Sequence, residues 1–94
     1  MQRQSLRALL KKEAVGYGPG AWDAPSALLV ERAGFPALCG SGFAISAGLG
    51  LPDAELYTMT ENAEAIRRMA AVTTIPIIAD ADNGYGNAIN VMRT

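Results

Sequence analysis

The chain has 94 residues, 50% of them apolar and 18% charged, a composition that fits one small folded domain and excludes a disordered chain. Eight basic and nine acidic residues give a net charge of −1, without a basic stretch that could follow a nucleic-acid backbone. The absence of histidine excludes His-based catalytic triads and His-ligated zinc, and the single cysteine, Cys39, excludes an internal disulfide. With no signal peptide or membrane-spanning stretch, these features predict a cytoplasmic protein that binds neither nucleic acid nor membranes.

In the first third of the chain, two helical patterns flank a short extended run. Ser5 is placed to cap a short helix, and the apolar run at 14–17 predicts the first strand. A second helix is expected to begin after Asp23, whose side chain can cap it, and to end near Gly34, which suits the position just past a helix.

The rest of the chain continues the alternation of helices and strands. Residues 36–40 predict a buried second strand, and residues 41–50 form a small-residue segment that we predict to be turn structure. A helix is predicted over about 61–72, and the unbroken apolar run at 75–80 predicts a third strand covered on both faces. Asn87 can then cap a last helix.

The order of these elements indicates the fold class. Continuous rather than alternating apolar strands, separated by helices, are typical of a parallel sheet with helices outside it. Three such strands with their helices are too few to build a sheet that is covered on both faces. The sequence therefore predicts α/β architecture and the opening third of a larger α/β unit.

Two loops after predicted strands carry the candidate site, because parallel α/β folds bind ligands where strands end. Asp80 and Asp82 would lie on one side of the backbone if the third strand continued, and carboxylates without histidine or cysteine favour Mg²⁺ or Mn²⁺. The alternative is a solvated turn without a metal. The loop at 40–42 offers N–H groups to an anion or, equally, allows close backbone packing.

Four motifs resemble the isocitrate lyase/phosphoenolpyruvate mutase superfamily in their order and spacing. They are WDAPSA at 22–27, GSG at 40–42, LGLPD at 49–53 and ADADNGYGN at 79–87. The similarity runs from about residue 15 to residue 94. Its last stretch is most similar to the oxaloacetate decarboxylase and phosphonomutase-like branches, with methylisocitrate/dimethylmalate lyase close to them.

This resemblance implies a fold and a chemistry. Residues 1–94 would be the N-terminal portion of a single TIM-type (β/α)₈ barrel domain, with its first three β/α units, incomplete in this chain. Enzymes of the family act on small 2-oxo or 2-hydroxy acids through a pyruvate-type enolate held by Mg²⁺, by C–C bond cleavage or decarboxylation. They assemble as homo-oligomers.

The resemblance also implies roles for particular residues. Asp80 would contact the metal directly or through one water, and Asp82 and Asp53 would hold metal-bound waters. A cation at this place would stabilise an enolate oxygen more than a ketone oxygen, as catalysis requires. The groups that would hold the substrate carboxylate and 2-oxo oxygen are Ser41, Gly42 and Phe43.

The subclass stays open at the level of sequence. Asn83 stands where many relatives carry threonine, and Gly40 where some lyases carry serine. The catalytic acid/base and the acid that completes the metal shell are expected beyond Thr94, so we expect this chain, a truncated product or a fragment, to be inactive by itself. The alternatives are phosphonomutase-type P–C bond chemistry and a non-catalytic module that folds or associates with a partner.

Overall fold

The computed structural model describes residues 3, 5–11 and 18–94, which contain five helices and one small sheet. The helices are α1 (Leu6–Leu10), α2 (Ala24–Arg32), α3 (Gly42–Gly48), α4 (Met59–Val72) and α5 (Ala88–Arg93). The strands are β1 (Gly20–Ala21), β2 (Leu38–Gly40) and β3 (Ile77–Ala79). The strand predicted at 14–17 lies outside the described residues. None of the helices described is long and apolar enough to cross a membrane.

Side-chain caps start three of the described helices at residues that the sequence indicates. Ser5 caps α1, and the Asp23 side chain accepts a hydrogen bond from the Ser26 backbone N–H at 2.8 Å at the start of α2. Gly34 follows the end of α2 with a φ of +92°, a conformation that glycine adopts without steric cost. Asn87 caps α5 by accepting hydrogen bonds from two backbone N–H groups. These predictions are confirmed.

The segment at 41–50 differs from the prediction, because it contains helix α3 rather than turns alone. Ser41 caps this helix by accepting a hydrogen bond from the Ala44 N–H at 3.2 Å. Its two glycines give α3 a weak intrinsic preference for helix. Burial of Ile45 and Ser46 against the rest of the molecule stabilises this helix, which the local sequence alone does not favour.

The sheet has the strand order β1-β2-β3 with both pairs parallel, which confirms the predicted α/β class with a parallel sheet. Gly20 lies opposite Cys39, and Leu38 lies opposite Ile77. Because all three strands run in one direction, their carboxyl ends meet at a single edge of the sheet.

The two faces of this sheet are covered unequally. Gly40 faces Ile66 and Met69 of α4, and this side holds the buried cluster. On the opposite face Cys39 is half-buried and Ile78 is 45% exposed. Within the described residues, the third strand is therefore covered on one face rather than on both. The core residues are Ala21, Ala27, Leu38, Ile45, Tyr57, Met69 and Ile75.

The turn between α4 and β3 is held by two charged side chains. The Glu31 carboxylate of α2 accepts hydrogen bonds from the backbone N–H groups of Thr74 (2.6 Å) and Ile75 (3.2 Å). The Thr74 N–H above all holds the pKa of Glu31 below its ordinary value. Arg3 donates to the carbonyl oxygens of Thr73 (3.0 Å) and Ile75 (2.6 Å) on the same turn.

Candidate functional site

A cavity of about 430 Å³, the strand-edge pocket, opens at the carboxyl ends of the strands. Five of the six predicted site residues line this cavity, and Asp82 does not. The lining residues are Gly20, Cys39, Gly40, Ser41, Gly42, Phe43, Asp53, Ile78, Ala79 and Asp80.

Backbone hydrogen bonds of the sheet place Ser41 and Asp80 side by side. The Ser41 N–H donates to the Ala21 carbonyl at 3.0 Å, and the Asp80 N–H donates to the Gly40 carbonyl at 3.1 Å. Each residue directly follows its strand, so both side chains emerge at the same edge. The sequence placed these two residues at strand ends, and the parallel register brings them into one pocket.

Gly42 lets the Asp80 carboxylate lie directly against the main chain. A methyl group added at Gly42 would come within 3.0 Å of both Asp80 Oδ2 and the Tyr57 hydroxyl, so no larger residue fits without moving one of them. Gly42 and Phe43 begin α3, and the first N–H groups of a helix have no partner inside the helix. Polar hydrogens and a carboxylate therefore face the same cavity.

Phe43 and Asp53 reach the strand-edge pocket from loops and helix ends. The Phe43 side chain is 67% exposed, and Asp53 is an exposed residue of the segment between α3 and α4. Their position on the rim leaves the Asp53 carboxylate hydrated, which suits contact through water more than direct packing.

Asp82 lies elsewhere, because β3 ends at Ala79 and the backbone turns. Asp80 Oδ1 accepts a hydrogen bond from the Asp82 N–H at 2.8 Å, and Asp82 has a φ of +51°. The condition under which Asp80 and Asp82 would share one side of a strand is therefore not met. Asp82 instead lines a second cavity of about 590 Å³, the loop-side pocket. Its lining residues are Glu55, Leu56, Tyr57, Thr58, Met59, Thr60, Asp82, Asn83, Tyr85, Gly86, Asn90, Arg93 and Thr94.

A buried polar cluster behind Asp80 was missed at the level of sequence. The Asn62 amide donates to the Asp80 carbonyl at 2.7 Å and to the Tyr85 hydroxyl at 2.6 Å. The rings of Tyr57 and Tyr85 meet edge to face, with centroids 6.1 Å apart. Burial raises the pKa of Tyr57, and Tyr85 and the two nearby carboxylates of the acidic loop (residues 80–86) add to this.

One sequence signal could have identified this cluster. Asn62 precedes Ile66 and Met69 by four and seven residues, so it stands on the apolar face of α4. A polar residue in such a stripe needs a partner when it is buried, and Asn62 is only 6% exposed.

The residues of the strand-edge pocket fit a hard cation in kind. Within residues 3, 5–11 and 18–94, no three His, Cys, Asp or Glu side chains converge as a metal cage. Mg²⁺ is commonly bound by one or two protein carboxylates, with waters and ligand oxygens completing its shell. The exposed Asp80 carboxylate beside the small-residue wall at Gly42 meets that requirement.

The chain that carries this geometry is similar to a known protein family. The model of the phosphoenolpyruvate phosphomutase family matches residues 6–94. The chain belongs to this family. The resemblance seen in the sequence motifs is thereby confirmed, and named relatives in the family are lyases, decarboxylases and mutases.

Individual members of the phosphomutase family are similar over nearly the whole chain. A 2-methylisocitrate lyase of Halalkalibacterium halodurans is 44% identical over 89 residues, which are 95% of this chain and 30% of that protein. An oxaloacetate decarboxylase of Rhodopseudomonas palustris is 45% identical over 94 residues, 99% of this chain and 32% of that protein. The crystal structure of phosphonopyruvate hydrolase in complex with oxalate and Mg²⁺ matches with a TM-score of 0.88 at 40% identity, covering 95% of this chain and 31% of that one. The chain thus spans about a third of the length of these relatives.

Proposed function

We propose that this chain forms the N-terminal part of a Mg²⁺- or Mn²⁺-dependent enzyme that acts on small 2-oxo or 2-hydroxy acids. The reaction is C–C bond cleavage or decarboxylation through an enolate of the pyruvate type. One observation carries the proposal: Ser41, Gly42, Phe43, Asp53 and Asp80 line a single pocket at the strand ends. The named relatives include a 2-methylisocitrate lyase and an oxaloacetate decarboxylase, both enzymes of small carboxylic acids.

The residues of the strand-edge pocket divide into acids and hydrogen-bond donors. Asp80 would hold the cation directly or through one water, with Asp53 contacting its water shell from the rim. Ser41, with the N–H groups of Gly42 and Phe43, would orient the substrate carboxylate and 2-oxo oxygen. When bound, Mg²⁺ would stabilise the negative charge that bond cleavage leaves on the 2-oxo oxygen.

We propose that the remaining sheet and helices of the whole protein complete a (β/α)₈ barrel, with residues 1–94 as its N-terminal portion. The open face of the sheet, where Ile78 is 45% exposed, supports this because the interior of such a barrel is filled by side chains from all its strands. The catalytic acid/base belongs to that remainder. We further propose that the protein is cytoplasmic and forms homo-oligomers.

A second reaction, cleavage of a P–C bond, is favoured by one specific comparison. Phosphonopyruvate hydrolase is 40% identical to this chain at a TM-score of 0.88. Release of pyruvate from oxaloacetate, 2-methylisocitrate or 2,3-dimethylmalate by the whole protein would assign C–C chemistry. Release of inorganic phosphate from phosphonopyruvate would assign P–C chemistry. We expect no turnover of any of these acids by residues 1–94 alone.

Calorimetry with oxalate and Mg²⁺ tests the site itself. Oxalate has the two adjacent carboxylates that mimic a planar enolate, and we expect weak binding that depends on the cation. Asp80→Asn should weaken this binding by at least about tenfold, because a direct carboxylate ligand is lost. Glu55→Gln is the matched control, since it removes an exposed carboxylate that lines the other pocket. Equal binding by the wild type and Asp80→Asn would favour a non-catalytic module instead.

A further inference from the structure

The Tyr57 hydroxyl is a buried polar group whose role the site described above does not explain. Tyr57 is 2% exposed, and its hydroxyl has no hydrogen-bond partner in the part of the chain that the structure describes. Burying a hydroxyl without a partner costs stability, whereas phenylalanine at the same place would not. A group kept at such a cost calls for a function.

The surroundings of this hydroxyl point to the Asp80 carboxylate. Tyr57 Oη and Asp80 Oδ2 both flank the small space beside Gly42, where an added methyl would come within 3.0 Å of each. The other carboxylate oxygen, Asp80 Oδ1, already accepts a hydrogen bond from the Asp82 N–H. Asp80 Oδ2 is therefore a charged acceptor beside the Tyr57 hydroxyl, and the Tyr85 hydroxyl is a neutral one.

Asn62 ties the two groups together from behind. Its amide donates both to the Asp80 carbonyl and to the Tyr85 hydroxyl, and the Tyr85 ring packs against Tyr57 with an interplanar angle of 87°. Asn62 thus contacts Asp80 directly and Tyr57 through the Tyr85 ring.

We propose that Tyr57 is a positioning residue, which donates its hydroxyl hydrogen to Asp80 Oδ2 when a cation occupies the strand-edge pocket. This bond fixes the plane of the carboxylate and directs its remaining lone pairs toward the cation. The inference rests on the proposed cation site and adds to it a residue that lies outside the strand-edge pocket and makes no direct contact with the ligand.

Titration of the whole protein with Mn²⁺ tests the inference in three variants, Tyr57→Phe, Tyr85→Phe and Asp80→Asn, with thermal unfolding measured on the same samples. Tyr57→Phe removes only the hydroxyl and should weaken Mn²⁺ binding about tenfold, the scale of one hydrogen bond to a charged group. Its melting temperature should stay equal to the wild type or rise. Tyr85→Phe, the matched control, removes a hydroxyl that is already bonded to Asn62, and should lower the melting temperature while changing Mn²⁺ affinity less.

The outcomes separate this inference from the proposed function. If the wild type binds Mn²⁺, Asp80→Asn does not, and Tyr57→Phe binds as the wild type does, the cation site stands and the inference is wrong. If the wild type fails to bind, or Asp80→Asn binds equally, both are wrong. A Tyr57→Phe chain that loses affinity only because it no longer folds would also overturn the inference, since the hydroxyl would then be structural.

Discussion

The two pockets on either side of the acidic loop are built from different parts of the backbone. The strand-edge pocket, at about 430 Å³, is walled by the ends of three hydrogen-bonded strands and the first turn of α3. The loop-side pocket is larger, at about 590 Å³, but three of its lining residues, Glu55, Asp82 and Tyr85, have left-handed backbone conformations in loops. Volume alone would select the second.

The predicted site residues are therefore brought together by the converging strand ends, and not by the larger of the two cavities. Backbone hydrogen bonds join Ser41 to the end of β1 and Asp80 to the end of β2, so one continuous ladder places both residues. Asp82 lies only two residues after Asp80, but a turn separates them, and Asp82 lines the other cavity. The buried Tyr57 side chain lies between the two pockets.

The largest effect is expected when a side chain of the buried core is removed, because both pockets depend on the folded chain. Leu38→Ala deletes a fully buried side chain of the central strand and should destabilise the chain by about 2–5 kcal/mol. Leu29→Ala, at a position 68% exposed, should change the free energy of unfolding by less than about 0.5 kcal/mol. Urea unfolding measures both. Similar losses in the two variants would show that the buried cluster is not the core.

Gly42→Ala should break the strand-edge pocket alone. The added methyl meets the rigid Tyr57 hydroxyl and displaces the Asp80 carboxylate, so we expect lost cation binding and a stability cost of about 1–3 kcal/mol. Gly48→Ala in the same helix meets nothing within 4 Å, and it should raise stability by about 0.5–1 kcal/mol with binding unchanged. Unfolding and Mn²⁺ calorimetry on this pair check it. Normal binding by Gly42→Ala would contradict the predicted contact.

Matched amide substitutions test whether the two aspartates, which line different pockets, contribute differently to cation binding. Asp80→Asn should weaken Mn²⁺ binding by at least about tenfold, whereas Asp82→Asn should weaken it only about two- to threefold, since water or distance separates it from the cation. Calorimetry at one ionic strength compares them. An equal or larger loss in Asp82→Asn would place the cation on the loop-side pocket.

Glu31→Gln probes a contact that lines neither pocket. It weakens the hydrogen bonds to the Thr74 and Ile75 N–H groups and should cost about 1 kcal/mol of stability at pH 7. The folded chain holds the Glu31 pKa below the ordinary 4.5, so the unfolded chain binds more protons and the wild-type advantage fades as the pH falls through and below 4.5. Urea unfolding at pH 7 and at acidic pH measures this. A constant difference across that range would exclude the carboxylate as the cause.

The sequence predicted the ends of several helices correctly, but it did not predict the helix within the small-residue segment. Asp23, Asn87 and Gly34 act through local geometry within a few residues, so their positions were predictable. Helix α3 was missed, because two glycines in seven residues argue against a helix until burial of Ile45 is known. Tertiary packing overrode local preference there.

Residue type and short spacing were enough to predict the parallel α/β class and to reveal the family motifs, and the resemblance carried by those motifs named the five residues that line one pocket. Only the tertiary structure decided that Asp82 leaves that pocket and that Tyr57 and Asn62 lie behind Asp80. Where β3 ends, the Asp82 N–H donates to Asp80 Oδ1 instead of to a neighbouring strand, and Asp82 adopts a φ of +51°, so the strand does not continue. Asn62, 18 residues earlier in the sequence, meets Asp80 only because α4 packs against the sheet.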